Sequence, residues 1–166
     1  MTGFARTLHV LLLGIWLGGS IFFLGAAQKA VALIDSKHFA GDVITANLDL
    51  IERYGLVAGP LILVTLFIGW LPLAVSLKTR GLGAMMMIGA IVMSRYWTTP
   101  AMLEAKAAMG VRLEHMDPSH PLVQQFQSFH LIGSSLMLLH LVVCFFMLIA
   151  AVRSSRPRRS FGGIEL

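Results

Sequence analysis

The sequence is poor in charge. Of 166 residues, 13 are Lys or Arg and 8 are Asp or Glu, 13% in all, against roughly a quarter in soluble domains. That leaves too little polar surface to cover a soluble globule of this length. Disorder is excluded by the opposite imbalance, because unfolded chains combine low hydrophobicity with high charge. A single cysteine, Cys144, rules out a disulfide within the chain and a zinc site built from several thiolates. The chain also lacks a P-loop, a dinucleotide fingerprint and any Ser-His-Asp arrangement. Acids are scarcer than bases, and the isoelectric point lies near 10.0. A nucleic-acid surface would need those bases gathered into one patch, and their positions point elsewhere, as shown below.

What the chain has is apolar length. Hydrophobic residues make up 57% of it. Thr7 to Gln28 and Tyr54 to Leu77 contain no Asp, Glu, Lys or Arg, and neither does Pro118 to Val152. The last run opens with polar Gln124, Gln125, Gln127 and Ser128, so its apolar half starts near Leu131. Each stretch reaches the roughly 20 residues that cross a bilayer core of about 30 Å. A fourth run, Gly81 to Ser94, is shorter. It spans if Arg95 sits at the interface, followed by Tyr96 and Trp97 as an aromatic belt. The alternation expected of a membrane barrel is missing. The expectation is an all-α integral membrane protein. It has a four-helix transmembrane bundle over residues 1–152, with spans near 5–27, 54–77, 82–99 and 131–152, and a basic tail at 153–166. The first run is too long for the apolar part of a signal peptide and is read as a retained helix.

Seven basic residues, Arg6, Lys78, Arg80, Arg153, Arg156, Arg158 and Arg159, fall on the side holding both termini, beside one acid, Glu165. The other side carries Lys29, Lys37, Arg53, Arg95, Lys106 and Arg112, with the remaining seven acids. The seven bases occupy short segments, where the positive-inside bias is read. Both termini are therefore expected in the cytoplasm, in an inner (plasma) membrane, with the basic tail against an anionic leaflet. The net charge of +5 is mostly a topology signal.

Outside the spans, residues 28–53 suggest one or two amphipathic helices leading into span two. Thr99-Pro100 marks a helix start, and Ala101 to Met109 is rich in helix formers. Asp117-Pro118-Ser119-His120-Pro121 breaks the chain. From Pro121 a helix can run on through span four, about 45 Å at 1.5 Å per residue. Gly14-x-x-x-Gly18, Gly55-x-x-x-Gly59 and Ala90-x-x-x-Ser94 suggest close helix contacts, and Pro60 and Pro72 suggest kinks in span two.

Ionisable residues in membrane spans are functional candidates, which singles out His9 and His140. As a pair they suggest bis-His haem ligation, but span geometry puts them about 10 Å apart in depth. Each is otherwise a hydrogen-bonded structural histidine. A second group gathers at the outer ends of the helices: Glu52, Arg53, Arg95, Glu104 and His130, either an interfacial ion-pair network or a polar pocket for a ligand or partner. His115, Met116 and His120 could supply copper-type ligands, although loop histidines are mostly solvated. Met85-Met86-Met87 and Cys144 are read as packing.

Three blocks then suggest a family. The first is Leu8-His9 with Trp16-Leu17-Gly18-Gly19 and Phe22-Phe23. The second is Arg95-Tyr96-Trp97-Thr98-Thr99-Pro100-Ala101-Met102. The third is Asp117-Pro118 with Phe126-x-x-x-His130 and Ser134-Ser135-Leu136. In this order, over nearly the whole chain, they resemble the four-span membrane proteins of the domain of unknown function 4149 family, which includes transmembrane protein 205. The resemblance implies a small membrane protein without established enzymatic activity. A eukaryotic member's link to drug resistance and export implies little about substrate here. One departure is Met137, where the family often has Asn. The opening block also looks like the four-helix membrane protoporphyrinogen oxidases, in which His9 would ligate haem b. That family keeps a Lys inside span three, absent here, and has a shorter loop before span four. Copper-resistance membrane domains share the opening too. The expectation is a non-enzymatic membrane protein without a cofactor, binding a small ligand or membrane partner through the outer pocket. A haem-binding redox protein, a copper-handling protein and an accessory subunit of a larger complex or homo-oligomer are the alternatives.

Overall fold

A computed structural model describes residues 2–68, 76–110 and 115–153. The expected kink at Pro72, most of the basic tail, and Arg112 and Glu114 lie outside them. The described residues are helical, with no strand among them. Helix α1 (Thr2–Leu33) is followed after a three-residue turn by α2 (Lys37–Ile68). Helix α3 (Leu77–Met93) passes through a π-helical turn, Ser94–Thr98, directly into α4 (Thr99–Met109), and α5 (Pro121–Arg153) closes the bundle. α1, α2 and α5 are each 32 or 33 residues long, about 48 Å at 1.5 Å per residue. All three are long and apolar enough to cross a membrane. α1 packs on α2 and α5, and α3 packs on the same two helices, so α1 and α3 lie on a diagonal.

The helices begin and end where their sequences require. Ser76 caps α3, its hydroxyl accepting the Thr79 N–H at 3.2 Å. α4 ends at Gly110, whose φ of 65° is the left-handed conformation that glycine adopts without strain. Asp117 forms the turn before α5. It accepts the Ser119 N–H at 2.8 Å and the Ser119 hydroxyl at 2.7 Å, and the backbone bond above all holds its carboxyl below the usual carboxylate range. The segment 28–53 joins the helices on either side rather than forming separate ones: α1 continues to Leu33 and α2 begins at Lys37. Pro60 lies inside α2 without ending it.

The distribution of polarity is inverted relative to a soluble bundle. Phe22, Phe67 and Phe146 lie on the outer surface, with Phe22 75% exposed. His9, Ser20, Glu52, Thr65, Arg80, Ser94, Thr98 and His140 are buried. Each helix turns one stripe inward at three- and four-residue spacing. On α3 and its π turn the stripe is Arg80, Ala84, Met87, Ile91, Ser94 and Thr98. Arg80 thus departs from its expected place among the interfacial charges, because the helix phase that buries Ala84 and Met87 also buries position 80.

Trp16 fills the middle of the bundle at 1% exposure. Its ring meets Tyr54 edge-on at 6.2 Å and His140 at 4.6 Å between centroids. Tyr54 donates its hydroxyl to the Leu12 carbonyl at 3.1 Å. Only one of the two expected Gly pairs makes the close contact within the chain. A Cβ on Gly55 would stand 2.6 Å from Trp16 Cζ2, and one on Gly59 2.6 Å from Ile88 Cγ1. Around Gly14 and Gly18 there is open space, because their side of α1 turns away from the packed stripe.

Gly55→Ala is expected to destabilise the bundle by about 1–3 kcal/mol, the usual cost of overpacking a filled core. Gly14→Ala and Gly18→Ala should leave stability within about 0.5 kcal/mol. Thermal unfolding in detergent, followed by tryptophan fluorescence, reads the contrast.

Candidate functional site

Polar groups collect at the end of the bundle where α2 meets the π turn. In that turn the Thr99 N–H bonds to the Ser94 carbonyl, the widened pattern of a π bulge, a device frequent at functional sites. Ser94, Arg95, Thr98 and Thr99 share one face of it. Ser94 donates its hydroxyl to Glu52 Oε1 at 2.6 Å, and Thr99 reaches the same oxygen at 3.4 Å. Arg95 Nη1 lies 3.5 Å from Glu52 Oε2 and 2.7 Å from Asp49 Oδ1. Asp49 also holds Arg53, whose Nε lies 2.7 Å from Oδ2. Glu52 itself is 2% exposed, so the hydroxyl and the guanidinium compensate a carboxylate removed from water.

The sequence pointed to one polar pocket made of Glu52, Arg53, Arg95, Glu104 and His130. The structure divides it. Glu52 and Arg95 line a charged cleft between α2 and α4, together with Asp42, Asp49 and Thr99. His130 instead lines a separate chamber of about 520 Å³ between α1, α2, the π turn and α5, where its ring stacks on Phe126 at 6.3 Å. Glu104 joins neither. It is exposed, because α4 turns Ala105 and Met109 inward, and its neighbour Lys106 makes the ion pair that ties α4 to Asp42 at 2.6 Å. Arg53 is exposed and reaches the network only through Asp49.

The chamber is mostly apolar, walled by Phe23, Leu24, Ile44, Leu48, Met102, Phe129 and Met137 among others. Four of its hydroxyls have a common property. Thr45 donates to the Gly41 carbonyl at 2.8 Å, Ser94 to Glu52, Thr98 to the Ser94 carbonyl at 3.0 Å, and Thr99 to Glu52. Each of these four hydrogens is committed inside the protein, so toward the chamber the oxygens offer lone pairs only. Gln28, His130 and Ser134 complete the polar lining.

Sequence reasoning missed Asp49, Ser94, Thr98 and Thr99. The signal for Asp49 was present: it lies three residues before Glu52 and four before Arg53, which puts all three on one helix face. The hydroxyls gave no such signal, since serine and threonine in an apolar helix more often bond back to their own backbone.

The two buried histidines lie at different levels. His9 Nδ1 donates to Thr65 Oγ1 at 2.9 Å, because the Thr65 hydrogen faces the Leu61 and Ile62 carbonyls. His140 packs at a tilt against Trp16, seven residues or about 10 Å further along α1. Neither ring nitrogen of His140 has a hydrogen-bond partner among the described residues. One haem iron cannot bind both rings at that offset. His9 and His140 also line none of the four cavities described. His120 Nδ1 accepts the Leu122 N–H at 3.2 Å, and His115 lies in a short exposed turn with Met116 next to it. Among the described residues no three His, Cys, Asp or Glu side chains converge as a metal site would need.

No family model matches the chain, and no curated protein or solved structure does either.

Removing the cation while leaving the carboxylate strands Glu52 in the interior. Arg95→Met should therefore lower the unfolding temperature, and adding Glu52→Gln should return part of the loss, the mark of a coupled pair. Glu104→Gln should change nothing. A double-mutant cycle in one detergent measures the coupling, and strict additivity would show that the pair does not interact.

Proposed function

We propose that the chain is a non-enzymatic, multi-pass inner-membrane protein with four crossings and both termini in the cytoplasm, and that its chamber binds a small amphiphile. The apolar walls suit a hydrocarbon body. The ligand class follows from the four hydroxyls whose hydrogens point away from the chamber. A head group carrying an O–H or N–H finds acceptors there. At those four oxygens a carboxylate, ketone or ester would face lone pairs with lone pairs. This is the observation that carries the proposal. The likeness to the domain of unknown function 4149 family agrees with it in span number and in the Phe126…His130 block, whose His130 lines the chamber.

The fourth crossing in this reading is α3 with its π turn and α4, a rod as long as its neighbours. The orientation rests on the segregation of acids: Asp35, Asp42, Asp49, Glu52, Glu104 and Asp117 all lie toward one end, and the positive-inside bias places that end outside.

A long-chain alcohol bearing a photoactivatable diazirine on its tail tests the proposal. Labelling should map to chamber residues of α1 and α5, and the methyl ester of the same chain should compete poorly. Gly133→Leu should abolish labelling while leaving the fold intact, since a Cβ at Gly133 would meet its nearest neighbour, Thr98 Oγ1, at an ordinary 3.9 Å. Labelling spread evenly over lipid-facing residues, or equal competition by the ester, refutes the proposal.

A haem reading has one observation in its favour, the unpartnered nitrogens of buried His140. It expects a Soret band in the purified protein that shifts on reduction and disappears in His140→Ala. A colourless preparation from haem-replete cells removes it.

A further inference from the structure

The opposite end of the bundle holds a charge with no counter-charge among the described residues. Arg80 is 1% exposed, and none of its three guanidinium nitrogens has a hydrogen-bond partner among the described residues. An arginine cannot shed its proton in response to burial. The described groups near it offer no anion. His9 on α1 is close enough for the two charges to interact, and Thr65 on α2 is committed to His9 and to its own helix. Every described acid lies toward the other end. The one closest along the bundle, Glu52, is thirteen residues from Thr65, about 20 Å. The first turn of α3 contains no acid, so the positive end of the helix dipole adds to the charge of Arg80. A buried cation left this way is costly, and natural structures pair it.

A groove of about 470 Å³ between α3 and α5 has Arg80 among its lining residues. Arg80, Thr79 and exposed Arg153 line its polar part; Leu82, Met86, Val143 and Phe146 line the rest. Two arginines, one buried and unpartnered and one exposed, line the same end of an apolar furrow between membrane helices, a combination that complements a phosphate carrying hydrocarbon chains. We propose that this groove binds one anionic phospholipid, its phosphate between Arg80 and Arg153 and an acyl chain along α3 and α5. Free phosphate satisfies the same cations but leaves the apolar furrow unfilled. The site is independent of the chamber at the other end.

The test uses the full-length protein in nanodiscs of phosphatidylcholine, with and without phosphatidylglycerol, and in neutral detergent with inorganic phosphate. A ligand that binds only the folded state raises the unfolding temperature. Phosphatidylglycerol should raise it by about 5–10 °C for a chain of this size. Arg153→Gln, on the exposed rim, should fold and lose most of that rise, whereas Lys78→Gln, exposed at the same end, should keep it. Arg80→Gln removes the buried charge. It should unfold at a higher temperature than the parent in phosphatidylcholine and show no response to phosphatidylglycerol. Equal unfolding temperatures in the two lipids, an undiminished rise in Arg153→Gln, or an equal rise from phosphate alone would each overturn the proposal.

Discussion

Hydrocarbon cannot hydrogen-bond, and most of this architecture follows from that constraint. Along the apolar length of three helices, polar side chains must turn inward or find partners. His9, Ser20, Glu52, Thr65, Arg80, Ser94, Thr98 and His140 all lie in the interior, while phenylalanines occupy the outside. Turning polarity inward removes the usual drive for helices to associate, because lipid is as apolar as leucine. Close packing has to supply the attraction instead. Gly55 and Gly59 let α2 approach until Trp16 and Ile88 touch its backbone. Trp16 then serves three helices at once, through Gly55 and Tyr54 on α2 and His140 on α5.

The two ends of the bundle meet the constraint differently. At the π turn, acids and bases interleave: Arg53, Asp49, Arg95 and Glu52 form a chain of alternating charge that ends on the Ser94 hydroxyl. Every member has an opposite neighbour, and burial increases along the chain from Arg53 to Glu52. At the other end the described residues supply bases only. The first end satisfies its charges within the chain. The second leaves Arg80 without an opposite charge among the described residues.

Most of the fold could be read from the sequence, because charge-free length and the breaks between runs are one-dimensional signals. The turn at Asp117–His120, the start of α5 at Pro121 and the helix over 99–109 follow directly from turn and capping chemistry. The continuation of α1 to Leu33 did not, since Lys29 looked like an end when only charge was counted. Burial phase was harder. Arg80 reads as an interfacial cation in the sequence, and only its register with Ala84, Met87 and Ile91 shows that it points inward. The polar pocket was half legible. Glu52 and Arg95 stand out as charges beside apolar runs, but whether His130 faces them depends on the rotation of α5, which places it in a neighbouring chamber. Glu104 fails for the same reason on α4.

The division of that pocket also explains how a charged cleft can govern an uncharged chamber. Ser94 stands between them, lining the chamber while its hydroxyl hydrogen is held by Glu52. A carboxylate can only accept, so while Glu52 is ionised the Ser94 hydrogen cannot turn toward a ligand. Burial works against the ionised form, whereas the Ser94 hydroxyl and Arg95, 3.5 Å away, work for it, and Asp49 holds Arg95 in place. An uncharged donor at position 52 could give its own hydrogen to Ser94 and free the hydroxyl to donate into the chamber. The hydrogen-bonding character of Ser94 thus depends on a charge in the neighbouring cleft, which is a physical reason for a membrane helix to keep a glutamate buried beside a serine.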